Sequence, residues 1–227
     1  MSDPVPYNPL DKKNLSASVA EALLGRKARP LDGLPSFYGA GIYAIYYSGS
    51  FPAYKRISEQ NKGDTPILPI YVGKAMTAGG RKGTVAPEGA KSRALLLRLR
   101  EHAESVAATE NLRIEDFLCR FLVVDDIWIP LGESLLIAKF APIWNTLIDG
   151  FGNHDPGSGR YKGMRPKWDV LHPGRGWAEK CQPRSETAKQ IAREIEAHLA
   201  VLNAPMSPHF YLEQARSRYA VEPEKDE

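Results

Sequence analysis

The chain has 227 residues, of which 43% are hydrophobic and 25% charged, so it is long and apolar enough to form a folded domain. Its two cysteines, Cys119 and Cys181, are too few for a disulfide framework or a four-cysteine zinc site. No apolar run approaches the roughly 20 residues of a membrane span. The first residues lack the pattern of a secretory signal, and we therefore expect a cytoplasmic protein.

The N-terminal half predicts one helix followed by two strands. Residues 16–24 are amphipathic and are followed by Gly25, which predicts a short helix in an arm over residues 1–37. Residues 41–47 and 67–73 are rich in β-branched and aromatic side chains, which favours strands. Pro69 lacks an N–H group and is expected at the start or the edge of the second strand, after a long polar loop over residues 48–66.

The following residues predict an α+β fold. A Gly-rich loop over residues 74–91 precedes a strong helix at 92–108, a third strand at 117–124, and a helix at 132–140 that Pro142 ends. This order predicts a three-stranded, mainly antiparallel sheet flanked by helices.

The C-terminal part divides into three segments. Residues 145–184 show no periodicity and predict an extended loop region, and residues 185–202 regain helical spacing. The polar, acidic tail after Tyr219 is expected to be disordered.

The small net charge of +3 conceals an uneven distribution. Residues 74–100 contain seven basic residues and one acidic residue, a local balance of +6, and residues 150–184 contain seven and three, a balance of +4. The remainder of the chain therefore sums to −7. Clustered Lys and Arg are typical of a surface that binds a polyanion, although a basic run is also commonly just a solvated face.

Each of the first two predicted strands contains a notable tripeptide. Gly-Ile-Tyr at residues 41–43 begins the first strand, and Tyr-Val-Gly at residues 71–73 ends the second. The side chains that complete the ordered pattern are Lys74, Arg98, Glu133, Pro142 and Asn145. Over residues 38–146 this set resembles the GIY-YIG nuclease family, with Val in place of the second Ile. The basic, Gly-rich residues 153–175 resemble those of its type II restriction endonuclease branch.

The resemblance implies a small catalytic core over residues 38–146, a basic DNA-recognition loop region over 147–184, and a C-terminal helix and acidic tail over 185–227. It also implies a bacterial restriction–modification enzyme that cuts double-stranded DNA at a short GC-rich palindrome of the CCGCGG type. A chain with one active site cuts both strands of a palindrome as a twofold dimer, so a homodimer is expected. A cognate DNA methyltransferase would share the site and need not bind.

The candidate proton-transfer residues are Tyr43, Tyr71 and His102. Strand alternation lets Tyr43 project from the sheet, and the resemblance implies that it is the general base. A phenol titrates near 10, so that role requires nearby cations such as Lys74 or Arg98. Tyr71 is a candidate for binding a phosphate oxygen or the nucleophilic water. Each tyrosine can also be read as a packing residue, and whether Tyr43 or His102 takes the proton stays open.

Charged residues complete the candidate site. Arg98 lies four residues before His102 and shares its helix face, and its planar guanidinium suits a phosphate. Lys74 supplies a point charge to the scissile phosphate, and Asn145 is expected to organise the site by hydrogen bonds.

Glu133 is the candidate ligand of a single Mg²⁺, for which Mn²⁺ can substitute, because Mg²⁺ often takes only one or two carboxylates. The alternative for Glu133 is a favourable place near a helix N-terminus. Asp125 and Asp126 are candidates for a second metal, although a turn after a strand is their usual setting.

DNA recognition is expected from basic side chains in the two loop regions, since Arg and Lys commonly bind guanine in the major groove. The candidates are Arg81, Lys82, Lys91, Arg160, Lys162, Arg165, Lys167 and Arg175.

Other functions are less well supported by the sequence. Asn153-His154 lacks the strand and the second histidine of a ββα-metal nuclease, and no strand carboxylate supports a PD-(D/E)XK core. The alternatives kept are a homing or repair nuclease of the same family and a non-catalytic DNA-binding protein on a nuclease fold.

Overall fold

The fold was analysed in a computed structural model, which describes residues 8, 10–63, 65–77, 92–157, 159 and 161–201. The strands are β1 (Arg29–Pro30), β2 (Gly41–Tyr47), β3 (Pro69–Ala75) and β4 (Phe117–Val123). The α-helices are α1 (Lys12–Leu24), α2 (Lys55–Gln60), α3 (Ala94–Ala107), α4 (Ile129–Phe140), α5 (Ile143–Thr146), α6 (Lys167–Leu171) and α7 (Ala188–Val201). Helix and strand therefore mix as an α+β fold, as the sequence predicts.

The sheet has four strands in the order β1-β4-β2-β3, and every neighbouring pair is antiparallel. The prediction of three strands is wrong in this detail. β1 adds a two-residue edge strand in which Arg29 lies opposite Cys119. Such a short strand has no alternating pattern, so the sequence of the N-terminal arm gives no sign of it.

β2 is the central strand, and all seven of its residues are buried. Its register places Tyr43 opposite Gly73 of β3 and Phe121 of β4. A Cβ atom at position 73 would overlap the Tyr43 hydroxyl group. The glycine of the second tripeptide therefore provides the space that the tyrosine of the first tripeptide occupies.

β3 lies at the other edge of the sheet and begins at Pro69, which confirms the expected place of this proline. An edge strand at its first residue needs no N–H group from proline.

The helices cover both faces of the sheet. α3 brings His102 against Tyr43 on one face, and on the other face Gly132 of α4 lies against Ile42 and Val19. α4 begins three residues before the predicted start, because Pro130 fits the first helical turn, where its missing N–H group costs nothing. Glu133 consequently lies in the second turn of α4 rather than at its N-terminus.

Two predicted loop regions contain helices. The polar loop at 48–66 includes a 3₁₀ turn at Pro52–Tyr54 and helix α2. The region 145–184 includes the end of α5, the whole of α6 and a further 3₁₀ turn at Ala178–Lys180, and the Trp168 side chain in α6 is completely buried. These helices are too short for a hydrophobic period to be visible in the sequence.

The described helices have in common that none combines the length and the apolarity needed to cross a membrane.

Candidate active site

Most of the motif residues meet in one cleft of about 520 Å³ at the β3 edge of the sheet. Five of the predicted catalytic residues line it: Tyr43, Tyr71, Lys74, Arg98 and Glu133. They come from β2, β3, α3 and α4, so four separate elements converge on the cleft.

His102 lies behind Tyr43 and contacts the cleft-lining residues Tyr43 and Tyr71 without lining the cleft itself. The Tyr43 hydroxyl lies 2.6 Å from Nε2 of His102, and both side chains are buried. Burial raises the pKa of Tyr43 well above its usual value of 10.0, and the neighbouring Tyr71 raises it further. Burial and the positive charge of Arg98 lower the pKa of His102 well below 6.5. At pH 7 the pair is therefore a neutral phenol and a neutral imidazole joined by one hydrogen bond, whose donor is set by the imidazole tautomer.

Tyr71 lies beside this pair in the same aromatic group. Its ring centroid is 6.2 Å from that of Tyr43 and 5.2 Å from that of His102. Burial raises the pKa of Tyr71 above 10.0, and the nearby Arg98 opposes this change. Tyr71 is thus a protonated phenol at neutral pH rather than a stored phenolate.

Two ion pairs supply the charge of the cleft. Lys74 Nζ lies 2.7 Å from a carboxylate oxygen of Glu133, and Arg98 Nη1 donates to Glu101 at 3.0 Å. The other terminal nitrogen of Arg98 donates to the carbonyl oxygen of Gly152 at 2.7 Å. Both cations therefore have carboxylate partners that an entering phosphate group would have to replace.

Asn145 organises the edge strand from outside the cleft. Its Oδ1 accepts a hydrogen bond from the backbone N–H of Val72, and its Nδ2 donates to the carbonyl oxygen of the same residue, each at 2.8 Å. The amide thereby pairs with β3 as a neighbouring strand would, next to Tyr71. These two bonds are the contacts through which the predicted organising role of Asn145 would act, and that role stays a prediction.

Only one of the candidate metal ligands lies in the cleft. Glu133 lines it, whereas Asp126 accepts a hydrogen bond from Thr77 at 2.8 Å in the turn after β4. Among the residues that the structure describes, no three His, Cys, Asp or Glu side chains form a group that could hold a metal ion. Glu133 is therefore compatible with a metal that is bound by one protein carboxylate together with water and substrate oxygens.

The predicted DNA-binding residues differ in exposure and in their contacts within the protein. Arg81, Lys82, Lys91 and Arg160 lie outside the described residues. Lys162 is exposed, whereas Lys167 pairs with Glu194 at 2.9 Å and Arg165 donates to the carbonyl oxygens of Ala178 and Glu179.

The prediction for Arg175 is wrong. Its side chain is only 5% exposed, and Asp169 accepts two hydrogen bonds from it at 2.7 Å. A buried guanidinium that is fully paired inside the protein cannot reach a DNA base.

The sequence analysis missed three residues at the cleft. Glu101 and His154 line it, and the Phe151 ring stacks on His102 with centroids 4.6 Å apart. Glu101 follows Arg98 by three positions, so helical spacing could have identified it. His154 and Phe151 reach the cleft only through the path of a loop, for which the sequence has no periodic signal.

Comparison with known proteins agrees with this arrangement. The profile of a family described as the Eco29kI GIY-YIG domain matches residues 35–199, which is most of the chain. No individual curated protein matches it. With both tripeptides, the antiparallel sheet and the cleft in place, the match shows that the chain belongs to the Eco29kI family of GIY-YIG restriction endonucleases.

Proposed function

We propose that the protein is a type II restriction endonuclease in which Tyr43 and His102 move a proton during phosphodiester hydrolysis. The observation that carries this proposal is the 2.6 Å contact between the Tyr43 hydroxyl and His102 Nε2 at a cleft that Tyr43 lines together with Arg98 and Glu133. Hydrolysis needs an activated water, stabilisation of the charge that develops on the phosphate, and help for the departing oxygen. The cleft contains candidates for each requirement.

The proton path uses both members of the pair. Because burial keeps Tyr43 protonated, its oxygen takes a proton from the attacking water only while giving its own proton away. The neutral imidazole of His102 receives that proton at Nε2. Tyr43 and His102 thus act in series rather than as alternative bases. Since Tyr43 is buried in the DNA-free structure, the water reaches its oxygen only after the cleft side chains rearrange around DNA.

Arg98, Tyr71 and Lys74 bind the scissile phosphate in this proposal. Arg98 supplies a planar donor set and Lys74 a point charge, and the Tyr71 hydroxyl donates to a third oxygen. In the DNA-free structure Lys74 pairs with Glu133 and Arg98 pairs with Glu101. A phosphate that binds both cations replaces these carboxylates, so neither Lys74 nor Arg98 is left without an anionic partner. Once Arg98, Tyr71 and Lys74 are bonded to the phosphate, they need little further reorganisation in the transition state.

Glu133 would hold a single Mg²⁺, or Mn²⁺ in its place. When bound, the metal supplies Lewis-acid stabilisation of the charge on the phosphate and the leaving oxygen. The Glu133 carboxylate lies in the cleft and is 19% exposed, so it is accessible to an ion once Lys74 turns to the phosphate. Mg²⁺ commonly keeps several waters and takes one or two carboxylates, which suits this sparse donor set.

Recognition of a CCGCGG-like palindrome by a homodimer completes the proposal. The family to which the chain belongs supports DNA as the substrate, and a palindrome suits two identical chains related by a twofold axis. Lys162 is exposed in the loop that continues from the cleft, and its side chain makes no hydrogen bond or ion pair with the residues that the structure describes.

The test is cleavage of two plasmids that differ by a single CCGCGG site, with Mg²⁺ or with a chelator. We expect one linear product from the plasmid with the site and none without Mg²⁺. A smear from both plasmids would indicate a nonspecific nuclease, and binding without cleavage would indicate the non-catalytic alternative. Discrete products unrelated to the palindrome would favour a homing or repair nuclease.

Two further measurements test the finer assignments. Glu133→Ala is expected to abolish Mg²⁺-dependent cleavage, and retained cleavage would refute the metal assignment. Light scattering on cognate DNA is expected to give the mass of two chains, and a monomer would contradict the dimer.

A further inference from the structure

We infer that Arg175 is a positioning residue for the active site: its ion pair with Asp169 fixes the segment Gly150–Asn153, and that segment holds His102 and Arg98 in their working geometry. This inference rests on the proposed function, because it assigns Arg175 a role in that same reaction. It also replaces the DNA-binding role that the basic sequence around Arg175 suggests.

The first observation is the complete use of the Arg175 guanidinium. Nε and Nη2 donate to the two carboxylate oxygens of Asp169 at 2.7 Å each. Nη2 also donates to the carbonyl oxygen of Gly150 at 2.9 Å, and Nη1 donates to those of Phe151 and Asn153 at 3.1 Å each. A guanidinium has five N–H donors, so none is left for DNA. Three of the five bonds go to the backbone of one short segment.

The second observation is the aromatic enclosure of the guanidinium plane. The Cζ atom of Arg175 lies 4.5 Å from the ring centroid of Trp168 and 4.8 Å from that of Trp177. Aromatic rings attract a planar cation and exclude water from its faces. Lysine has neither the plane nor the fork of donors, so it cannot replace arginine at this site without losing bonds to the segment.

The third observation is that the clamped segment contacts three proposed catalytic side chains. The Phe151 ring stacks on His102 at 4.6 Å with an interplanar angle of 17°, and its edge meets Tyr71 at 4.9 Å. The carbonyl oxygen of Gly152 accepts a hydrogen bond from Arg98 at 2.7 Å. A side chain at Gly152 would place its Cβ atom 2.7 Å from the Tyr71 hydroxyl oxygen, which shows how closely the backbone approaches.

These contacts connect the Arg175–Asp169 ion pair to Tyr43 and His102, the two residues proposed to move the proton. Phe151 covers one face of the imidazole whose Nε2 faces Tyr43, so a shift of the segment turns or uncovers that imidazole. The same shift moves the carbonyl group that orients the Arg98 guanidinium. Misplacement of a catalytic group by about 1 Å can lower a rate about 10²-fold, even when its cause lies far from the reacting atoms.

The experiment compares Arg175→Lys with the matched control Arg120→Lys. Arg120 is also buried, also donates to backbone carbonyl oxygens, and also lies over an aromatic ring, that of Tyr46 at 5.0 Å. It is paired in register with Ala44, on the face of the sheet opposite Tyr43. The control therefore loses comparable interactions without touching the segment Gly150–Asn153.

Single-turnover cleavage at saturating DNA and DNA affinity without metal are measured separately, each normalised to the folded fraction from circular dichroism. We expect Arg175→Lys to lower the cleavage rate constant about 10²-fold, with little change in Kd, and Arg120→Lys to leave both unchanged. A wild-type rate constant for folded, DNA-bound Arg175→Lys would overturn the inference, as would equal losses in the two variants. If Arg175→Lys does not fold, Asp169→Asn takes its place in the same assay.

A double-mutant cycle with Phe151→Leu tests the connection itself. If Arg175 acts through this segment, the rate loss in the double variant is smaller than the product of the two single losses. Independent, multiplicative losses would overturn the inference. Failure of the wild-type protein to cleave DNA would instead refute the proposed function, so the two failures are distinguishable.

Discussion

Two tyrosine–histidine pairs lie in the core of this protein, and their internal geometry is the same. The Tyr43 hydroxyl lies 2.6 Å from Nε2 of His102, and the Tyr54 hydroxyl lies 2.6 Å from Nε2 of His172. Burial raises the pKa of both tyrosines well above 10.0. Burial also lowers the pKa of His102 well below 6.5 and that of His172 to about 3. A hydrogen bond of this kind is therefore not by itself a catalytic feature.

The surroundings distinguish the two pairs. Tyr54 also accepts a hydrogen bond from Trp144 Nε1, and His172 Nδ1 donates to Asn111 Oδ1, each at 2.9 Å. The closed pair of Tyr54 and His172 is thus satisfied by protein groups and enclosed by aromatic rings. Tyr43 instead lines a cleft that contains two cations, each with a carboxylate partner. The difference indicates that the adjoining cleft and its charged side chains, rather than the tyrosine–histidine contact or its exposure, mark the candidate active site.

Among changes in the surroundings of the two pairs, the largest expected effect comes from removing the positive charge of Arg98, which lies beside Tyr43 and His102. Arg98→Met should lower the cleavage rate by roughly 10²–10³-fold, because one preorganised donor to the developing charge is lost. Single-turnover assays on bound DNA measure this effect. Arg98→Lys, which keeps the charge without the planar fork, should fall between the wild type and Arg98→Met. A wild-type rate in Arg98→Met would remove the proposed distinction between the two pairs.

The next effect is on the pH dependence of stability, and it arises because both pairs contain a buried, neutral histidine. Below pH 6.5 the unfolded chain protonates His102 and His172 while the folded protein does not, so stability is full above pH 6.5 and falls as the pH drops toward 3. Both histidines contribute to this decline, and His172 does so until the pH approaches its folded pKa of about 3.

Urea unfolding of wild type and His172→Gln between pH 7 and pH 4.5 measures this contribution. As the pH falls from 7, the free energy of unfolding should decline less steeply for the variant than for the wild type. The difference in slope corresponds to about one proton fewer taken up on unfolding. Parallel curves for the two proteins would contradict a neutral, buried His172.

A smaller effect tests the structural role of the closed pair. Asn111→Leu removes the acceptor of the His172 Nδ1–H group and should lower the free energy of unfolding by about 1–3 kcal/mol, since a buried donor is left unpaired. Thermal or urea unfolding measures the loss. The cleavage rate of the folded, DNA-bound variant should match the wild type, and a reduced rate would give the closed pair a catalytic role.

The smallest effect is spectroscopic. When DNA is added without metal, the ring resonances of His102 should shift in NMR spectra, because His102 contacts the cleft-lining Tyr43 and Tyr71. Those of His172 should stay in place, because its ring lies among Phe51, Tyr54 and Trp168. Equal shifts would show that the second pair is not isolated from the DNA surface.

Much of the fold was predictable because its main elements have strong local patterns. The strands of the two tripeptides and the helix with Arg98 and His102 follow from β-branched content and helical spacing. The two-residue β1 and the short helices α5 and α6 were not predictable, because they are too short for a hydrophobic period to repeat. Their stability comes from tertiary contacts such as the burial of Trp168.

The residues of the candidate site that belong to the motif could be predicted from the sequence. Those whose position depends on tertiary packing could not. The sequence brings Tyr43, Tyr71 and Glu133 to attention, and the structure places all three in one cleft. It gives no means of separating an arginine that binds DNA from one that is buried, and Arg175 was assigned wrongly for that reason. Whether a basic residue faces solvent depends on long-range packing, in this case against Trp168 and Asp169.

The most direct test of the central claim is a comparison of Tyr43→Phe with Tyr54→Phe in single-turnover cleavage of cognate DNA, with folded fraction and DNA binding measured in parallel. Each variant removes one hydroxyl from one of the two equivalent pairs. We expect Tyr43→Phe to bind DNA but to cleave it about 10²–10⁴-fold more slowly, and Tyr54→Phe to lose stability while cleaving at the wild-type rate once bound. Equal rates for the two folded variants would contradict the account.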